Sequence, residues 1–253
     1  MSTVHSENVK VLYQELTPSE FLQRLSDAPV AYLPLGTLEF HGDHLPLGSD
    51  AIQPLSFFSE LAAEIGGIVM PPLFLGPDRM EEVNGSELYG KDLGNPPHAE
   101  KQQYEQQVLP GSAYWIPDSL FHDIIENILK LLKRQGFKIL VAHGHGPSTN
   151  LIIRNRQKWE PEYGIKIFHL WGSDNDDKFG FMSDHAGMLE TSVVMKYRPG
   201  LVHLENLPED SAVWPRGIRG FDPRIYASTA KGEEIVRIQK QRIIKVISEE
   251  LGR

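Results

Sequence analysis

Cysteine is absent from the 253-residue chain, and that absence removes disulfide frameworks, thiolate zinc sites, iron–sulfur clusters and cysteine nucleophiles together. Any metal must therefore be held by histidine and carboxylate. Positive charge is scarce as well: 25 Lys and Arg face 34 Asp and Glu, a formal net charge of -9, with no basic run to supply a local exception. Such a chain repels phosphate backbones and anionic headgroups, so neither nucleic acid nor a membrane surface is expected as a partner. No apolar run approaches the roughly 20 residues that span a bilayer, and the first ten residues lack the apolar core of a secretory signal. A cytoplasmic location is the resulting expectation. What remains is ordinary for a globular protein: 40% hydrophobic residues suffice for a substantial core, and the length suits one domain over 1–253.

Periodicity predicts alternating helices and strands. Thr17, Pro18 and Glu20 form a helix start with N-cap, first-turn proline and capping box, leading to a short helix through Leu25. Buried strands are expected at 30–35, 68–73, 139–142 and 165–170. Between them, three- and four-residue apolar spacings predict helices after Asp50 to Ile65 and over 118–135, 148–159, 185–197 and 232–251. In the 118–135 helix the expected buried stripe is Leu120, Ile124, Ile128, Leu131 and Leu132, with Gly136 closing the helix. The alternation predicts an α/β fold: a mostly parallel central sheet covered by helices. Residues 76–117, rich in Gly, Pro, Asn and Gln, read as a loop-rich insertion or active-site flap.

Three segments carry the candidate chemistry. The first runs from Pro34 to Asp50, just past a buried strand, and contains Glu39, His41 and Asp50. Positions 39 and 41 project to one side of an extended chain, so both can reach neighbouring metal ions, and the two oxygens of Asp50 can bridge them. Taken alone, Asp50 is an ordinary helix N-cap; its company favours a ligand. The second segment, Val141 to Asn150, places His143 and His145 where a strand enters a glycine-rich loop, at the edge where open α/β folds put their sites. Phosphate binding by this loop is disfavoured because no Lys or Arg accompanies it and no phosphate-loop spacing is present. The third segment, Asp184 to Ser192, offers His185 as a proton donor to a leaving group and Glu190 as a metal ligand or water-polarising base. A glutamate inside a helix is usually a solvated surface residue, so Glu190 enters on its neighbours' account.

Together and in this order, the segments resemble the creatininase (creatinine amidohydrolase) family. The correspondence covers Gly36 through Asp50, His143 through Gly146 and His185 through Ser192, with Pro110-Gly111-Ser112 similar to the family's Pro-Gly-Thr element. The resemblance implies a three-layer αβα fold, a homohexamer, a small-molecule substrate and two divalent metals per subunit drawn from zinc, manganese or iron. By matching positions it implies that Glu39 and His145 hold one metal, His41 the other, and that Asp50 bridges. Two positions depart from the pattern. Pro147 stands where creatininase has a glutamate ligand, which makes Glu190 the candidate replacement, and His143 replaces the usual Asn, with altered substrate contacts expected. The implied activity is hydrolysis of a small cyclic amide or related carbonyl compound by a metal-activated water. The alternatives are ring opening of a cyclic polyol ketone such as a keto-inositol, a metal-dependent sugar isomerase, and a non-catalytic metal-binding protein.

Overall fold

The computed structural model describes residues 9–94, 104–171 and 181–253. Residues 1–8 of the polar N-terminal stretch and 95–103 of the expected insertion lie outside the described residues. The elements in chain order are α1 (Pro18–Asp27), β1 (Val30–Leu35), α2 (Ser49–Ile65), β2 (Ile68–Val69), β3 (Met80–Val83), β4 (Ser86–Tyr89), α3 (Asp118–Gln135), β5 (Ile139–Gly144), α4 (Gly146–Tyr163), β6 (Lys166–Phe168), α5 (Met188–Tyr197), α6 (Pro223–Tyr226) and α7 (Thr229–Glu250). The start of α1 is as its sequence dictates: the Thr17 hydroxyl accepts from the Glu20 amide while the Glu20 carboxylate accepts from the Thr17 amide.

The central sheet has the order β2-β1-β5-β6, with every pairing parallel. Successive side chains of β1 and β5 go to opposite faces and both faces are covered, so each strand is buried along its whole length. On one face Val30, Tyr32, Ile139 and Val141 pack with Phe57, Phe58 and Leu61 of α2 and with residues of α5 and α7. On the other, Ala31, Leu33, Leu35 and Leu140 meet α3 and α4. The result is a three-layer αβα fold. No helix among the described residues is long and apolar enough to cross a membrane.

Several expected boundaries move. The strand expected at 68–73 is paired in the sheet only at Ile68–Val69, and that at 165–170 only at Lys166–Phe168. The helix expected from His185 begins at Met188, because His185 instead exchanges backbone hydrogen bonds with Arg219. In α3 the bounds are those expected, but the buried stripe is Phe121, Ile125, Leu129 and Leu132, while Leu120 and Leu131 are 48% and 58% exposed. The two stripes have the same spacing and lie one residue apart, so periodicity alone cannot choose between them; the fit of Phe121 against the sheet does. Within 76–117 the chain forms the β3–β4 hairpin and a 3-10 turn at Gly90–Leu93, short elements inside the expected loop-rich insertion.

Candidate metal centre

Parallel strands β1 and β5 end side by side, Leu35 opposite Gly144, and both chains then turn over the carboxyl edge of the sheet. The turn at Gly144 admits only glycine: its φ is +151°, and a Cβ there would collide with the Leu35 carbonyl. The amide of His145 donates to the Leu35 carbonyl at 3.1 Å, which carries the imidazole to the segment after β1. That segment is pinned from the insertion, since the Phe40 amide donates to Ser112 Oγ at 3.1 Å and the Ala113 amide to the Leu38 carbonyl at 2.8 Å. Glu39 and His41, on either side of Phe40, are thereby held over the sheet edge.

Asp50 occupies the first turn of α2, whose cap is Gly48, and it makes no capping bond; its oxygens face His41, with Oδ1 at 3.4 Å from Nε2. Glu190, in the first turn of α5, is 2% exposed rather than solvated, and its Oε2 lies 3.6 Å from His41 Nε2. The five expected ligands thus converge. One atom each from Glu39, Asp50 and His145 lie within 4.8 Å of one another, as do one each from His41, Asp50 and Glu190, so Asp50 belongs to both groups. His185 joins Glu39 and His41 in a third such group. A further cluster, His122, Asp123 and Glu126, lies on the partly exposed side of α3, where Glu126 already accepts from Lys158 and Trp159.

The buried donor set fits divalent cations. Glu39 Oε1, His41 Nε2, Asp50 Oδ2 and His145 Nε2 are all buried without a hydrogen-bond partner among the described residues. Both imidazoles are oriented from behind: His41 Nδ1–H donates to the Glu39 carbonyl at 2.9 Å, and His145 Nδ1 contacts Ser148 Oγ at 3.0 Å, leaving each Nε2 for the cluster. Electrostatics report the same crowding. Burial, reinforced by Asp50, pushes the Glu39 carboxyl up to about 7 and the Glu190 carboxyl up to about 8. Burial would lower the His41 pKa, but Asp50, Glu190 and Glu39 outweigh it and lift it to about 10. Protons are thus retained where cations would relieve the same repulsion.

His185 is set differently. Its Nε2–H donates to the Phe40 carbonyl at 2.9 Å, so the lone pair is on Nδ1, 3.8 Å from Glu39 Oε2. Burial, with Lys91 and His41 nearby, holds its pKa well below the usual imidazole range. His143, where altered substrate contacts are expected, is not among the residues lining the cavity: it is fully buried in β5, its Nε2–H donating to the Phe181 carbonyl at 3.0 Å. His44 is likewise buried and bonded to Thr191 at 2.8 Å.

A cavity of about 360 Å3 opens beside the cluster, lined by Glu39, Asp50, His145, His185 and Glu190. Sequence reasoning missed three of its other residues: Asp78, whose Oδ2 is 3.5 Å from His145 Nε2, and Lys91 and Arg219. Asp78 and Lys91 lie in the loop-rich insertion and Arg219 in a segment without motif, so only the tertiary fold identifies them.

A parallel αβα fold with buried imidazoles and carboxylates gathered at the carboxyl edge of its sheet defines an α/β protein with a divalent-metal type of centre. The chain belongs to the creatininase family, whose model, described as creatinine amidohydrolase, matches residues 14–247. It is similar to the creatinine amidohydrolase of Pseudomonas putida, at 24% identity over 273 residues, 95% of this chain and 97% of that protein. It is also similar to the 3-dehydro-scyllo-inosose hydrolase of Thermotoga maritima, at 22% identity over 207 residues, 77% of this chain and 58% of that protein. Among solved structures, a crystal structure of creatinine amidohydrolase superposes with a TM-score of 0.71 at 24% identity, covering 96% of this chain and 98% of the other. A manganese form of creatininase and a zinc–zinc form of a creatininase mutant superpose with TM-scores of 0.70 and 0.69, at 24% and 23% identity, each covering 95% of this chain and 98% of the other. The chain is thus a member of a family of metal-dependent hydrolases.

Proposed function

We propose that the chain hydrolyses a small cyclic amide or related carbonyl compound, using two divalent cations held by Glu39, Asp50 and His145 on one side and His41, Asp50 and Glu190 on the other. The observation that carries this reading is the pair of buried ligand groups sharing Asp50, with the unpartnered atoms of four side chains turned toward them. Glu190 supplies the carboxylate that Pro147 does not. Its Oε2 also accepts from the Ala186 amide at 2.7 Å, a bond that fixes the carboxylate's direction. Divalent ions in such a site acidify a water and polarise a carbonyl.

His185 moves the proton. With its lone pair on Nδ1 and its Nε2–H committed to the Phe40 carbonyl, it first accepts a proton from the attacking water and then delivers it to the leaving nitrogen as the ring C–N bond breaks. This refines the expected donor role: the resting tautomer is an acceptor. Asp184 supports the geometry, because its carboxylate accepts from the amides of Leu189 and Glu190 at 2.7 and 3.1 Å and so anchors the turn bearing both His185 and Glu190.

The similarity to the inosose hydrolase supports a second reading, ring opening of a cyclic polyol ketone, in which carbon leaves instead of nitrogen. A panel of lactams, cyclic ureides, formamides and keto-inositols, run with chelated and metal-reloaded protein, separates the two. Metal-dependent opening of cyclic amides is expected. Turnover of keto-inositols alone would replace the leading reading, and turnover that survives complete chelation would refute both. Solvent deuterium entering a sugar without net addition of water would point instead to an isomerase.

A further inference from the structure

We infer that the cavity beside the metal cluster selects substrates carrying an anionic substituent, a carboxylate for a cavity of this size, held by Lys91 and Arg219. The inference rests on the proposed hydrolase site and adds the charge of what enters it. Its basis is an imbalance in how the cavity's charges are paired. The carboxylates lining it have other roles: Glu39, Asp50 and Glu190 in the ligand cluster, Asp78 accepting from the Arg79 amide at 2.6 Å, and Asp184 in the turn before α5. The rim cation Arg79 lies 3.7 Å from Glu81, and Arg154, in the adjoining recess, pairs with Asp118 at 3.0 Å. Lys91 and Arg219 line the same cavity, yet among the described residues no carboxylate comes within ion-pairing distance of either.

Backbone hydrogen bonds fix where both residues leave the chain. Lys91 sits in the 3-10 turn at Gly90–Leu93, whose Asp92 carboxylate accepts from the Tyr89 and Leu109 amides and so closes the turn. Gly90, at φ +50°, packs so closely on Asp78 that a side chain there would displace it, which brings the start of the turn to the cavity wall. Arg219 exchanges two backbone hydrogen bonds of 2.9 Å with His185, so its side chain starts beside the proposed proton carrier. Half-buried Lys91 and exposed Arg219 therefore present an ammonium and a guanidinium to one space of about 360 Å3, in a chain whose net charge is -9. Glu39 and Asp78 attract Lys91, and Asp184 attracts Arg219, only from beyond ion-pairing distance, so two cavity-facing cations with no carboxylate in contact among the described residues are suited to a ligand carboxylate.

The probes are 5-oxoproline, a five-membered lactam with a carboxylate, and its uncharged carboxamide. Their binding to the metal-loaded protein is measured by calorimetry in the wild type and in the variants Lys91→Met and Arg219→Gln, while hydrolysis of unsubstituted lactams is followed in the same preparations. The carboxylate should bind about 10-fold or more tightly than the carboxamide. That ratio should collapse toward unity in K91M, fall less in R219Q, and shrink with added salt in the wild type. Equal affinities, or no detectable binding of the carboxylate, would overturn the inference. So would a ratio unchanged in both variants, the result expected if the carboxylate simply bound the metals. If K91M does not fold, the R219Q ratio and the salt dependence decide. Lactam hydrolysis without charge preference would sink this inference and leave the hydrolase reading standing; charge-selective binding without hydrolysis of any cyclic amide would do the reverse.

Discussion

Helix α2 carries two charged clusters whose side chains have opposite fates. Toward its middle, Glu60 accepts hydrogen bonds from Lys196, Tyr197 and Lys240 at 3.1, 2.9 and 2.8 Å, and every charge in that group is answered. In its first turn, Asp50 sits among Glu39, His41, His145 and Glu190, where four polar atoms are buried without a partner among the described residues. The Glu60 group ties α2 to α5 and α7 across the outside of one layer, and its lysines hold the Glu60 pKa down to about 2 despite partial burial. In the Asp50 group the carboxylates outnumber the bonds that answer them, and burial with mutual repulsion pushes two of its carboxyls up instead. A satisfied network stabilises a fold, whereas an unsatisfied one of the same residue types marks a place kept for something else.

The contrast can be broken most directly at Asp50. Because this residue belongs to both ligand groups, Asp50→Ala should abolish metal-dependent turnover by several orders of magnitude, and Glu60→Gln should leave it within about two-fold; comparable losses from the two substitutions would erase the distinction. Next in size is His185→Gln, which preserves a neutral polar side chain but removes the proton carrier. It should lower kcat about 10²–10⁴-fold while metal content stays unchanged.

A third test uses pH. In the metal-free protein His41 binds its proton more tightly than in the unfolded chain, a stabilisation that is complete below pH 6.5 and lost as pH rises through about 10. The raised Glu190 acts in the same direction, since the folded state loses ground as its carboxyl ionises on the way to about pH 8. The metal-free protein should therefore melt at a lower temperature at pH 9 than at pH 7, and loading with zinc or manganese should flatten or reverse that trend. Parallel pH profiles with and without metal would show that the cluster's protons and cations do not compete. The smallest effect belongs to the satisfied network: Glu60→Gln should cost about 1 kcal/mol in denaturant unfolding, since its side chain is partly exposed and its ion pairs are screened.

Much of this site was legible before any coordinate, and the reason is local geometry. Glu39, His41 and Asp50 lie within 12 residues after one strand, and His145 follows another, so a parallel sheet alone brings them to one edge. Glu190 was legible only through the motif it shares with His185, because a lone helical glutamate carries no signal. Asp78, Lys91 and Arg219 were not legible. They stand in irregular segments, where neither a period of two nor one of 3.6 states which way a side chain faces, and they reach the cavity through the β3–β4 hairpin and the backbone exchange between His185 and Arg219. The misassigned stripe of α3 has a related cause: two faces of one helix met the apolar spacing equally well, and only packing on the sheet selected Phe121 over Leu120. His143 shows the same limit, since one residue of strand separates its core-facing side chain from the loop that carries His145.

The central claim is that the orphaned atoms around Asp50 hold divalent cations. Anomalous diffraction from crystals soaked in zinc or manganese tests it most directly. The account predicts two peaks per chain, one among Glu39, Asp50 and His145 and one among His41, Asp50 and Glu190, with both lost in Asp50→Ala. Peaks confined to the exposed His122 cluster, or none near Asp50 at saturating metal, would contradict it.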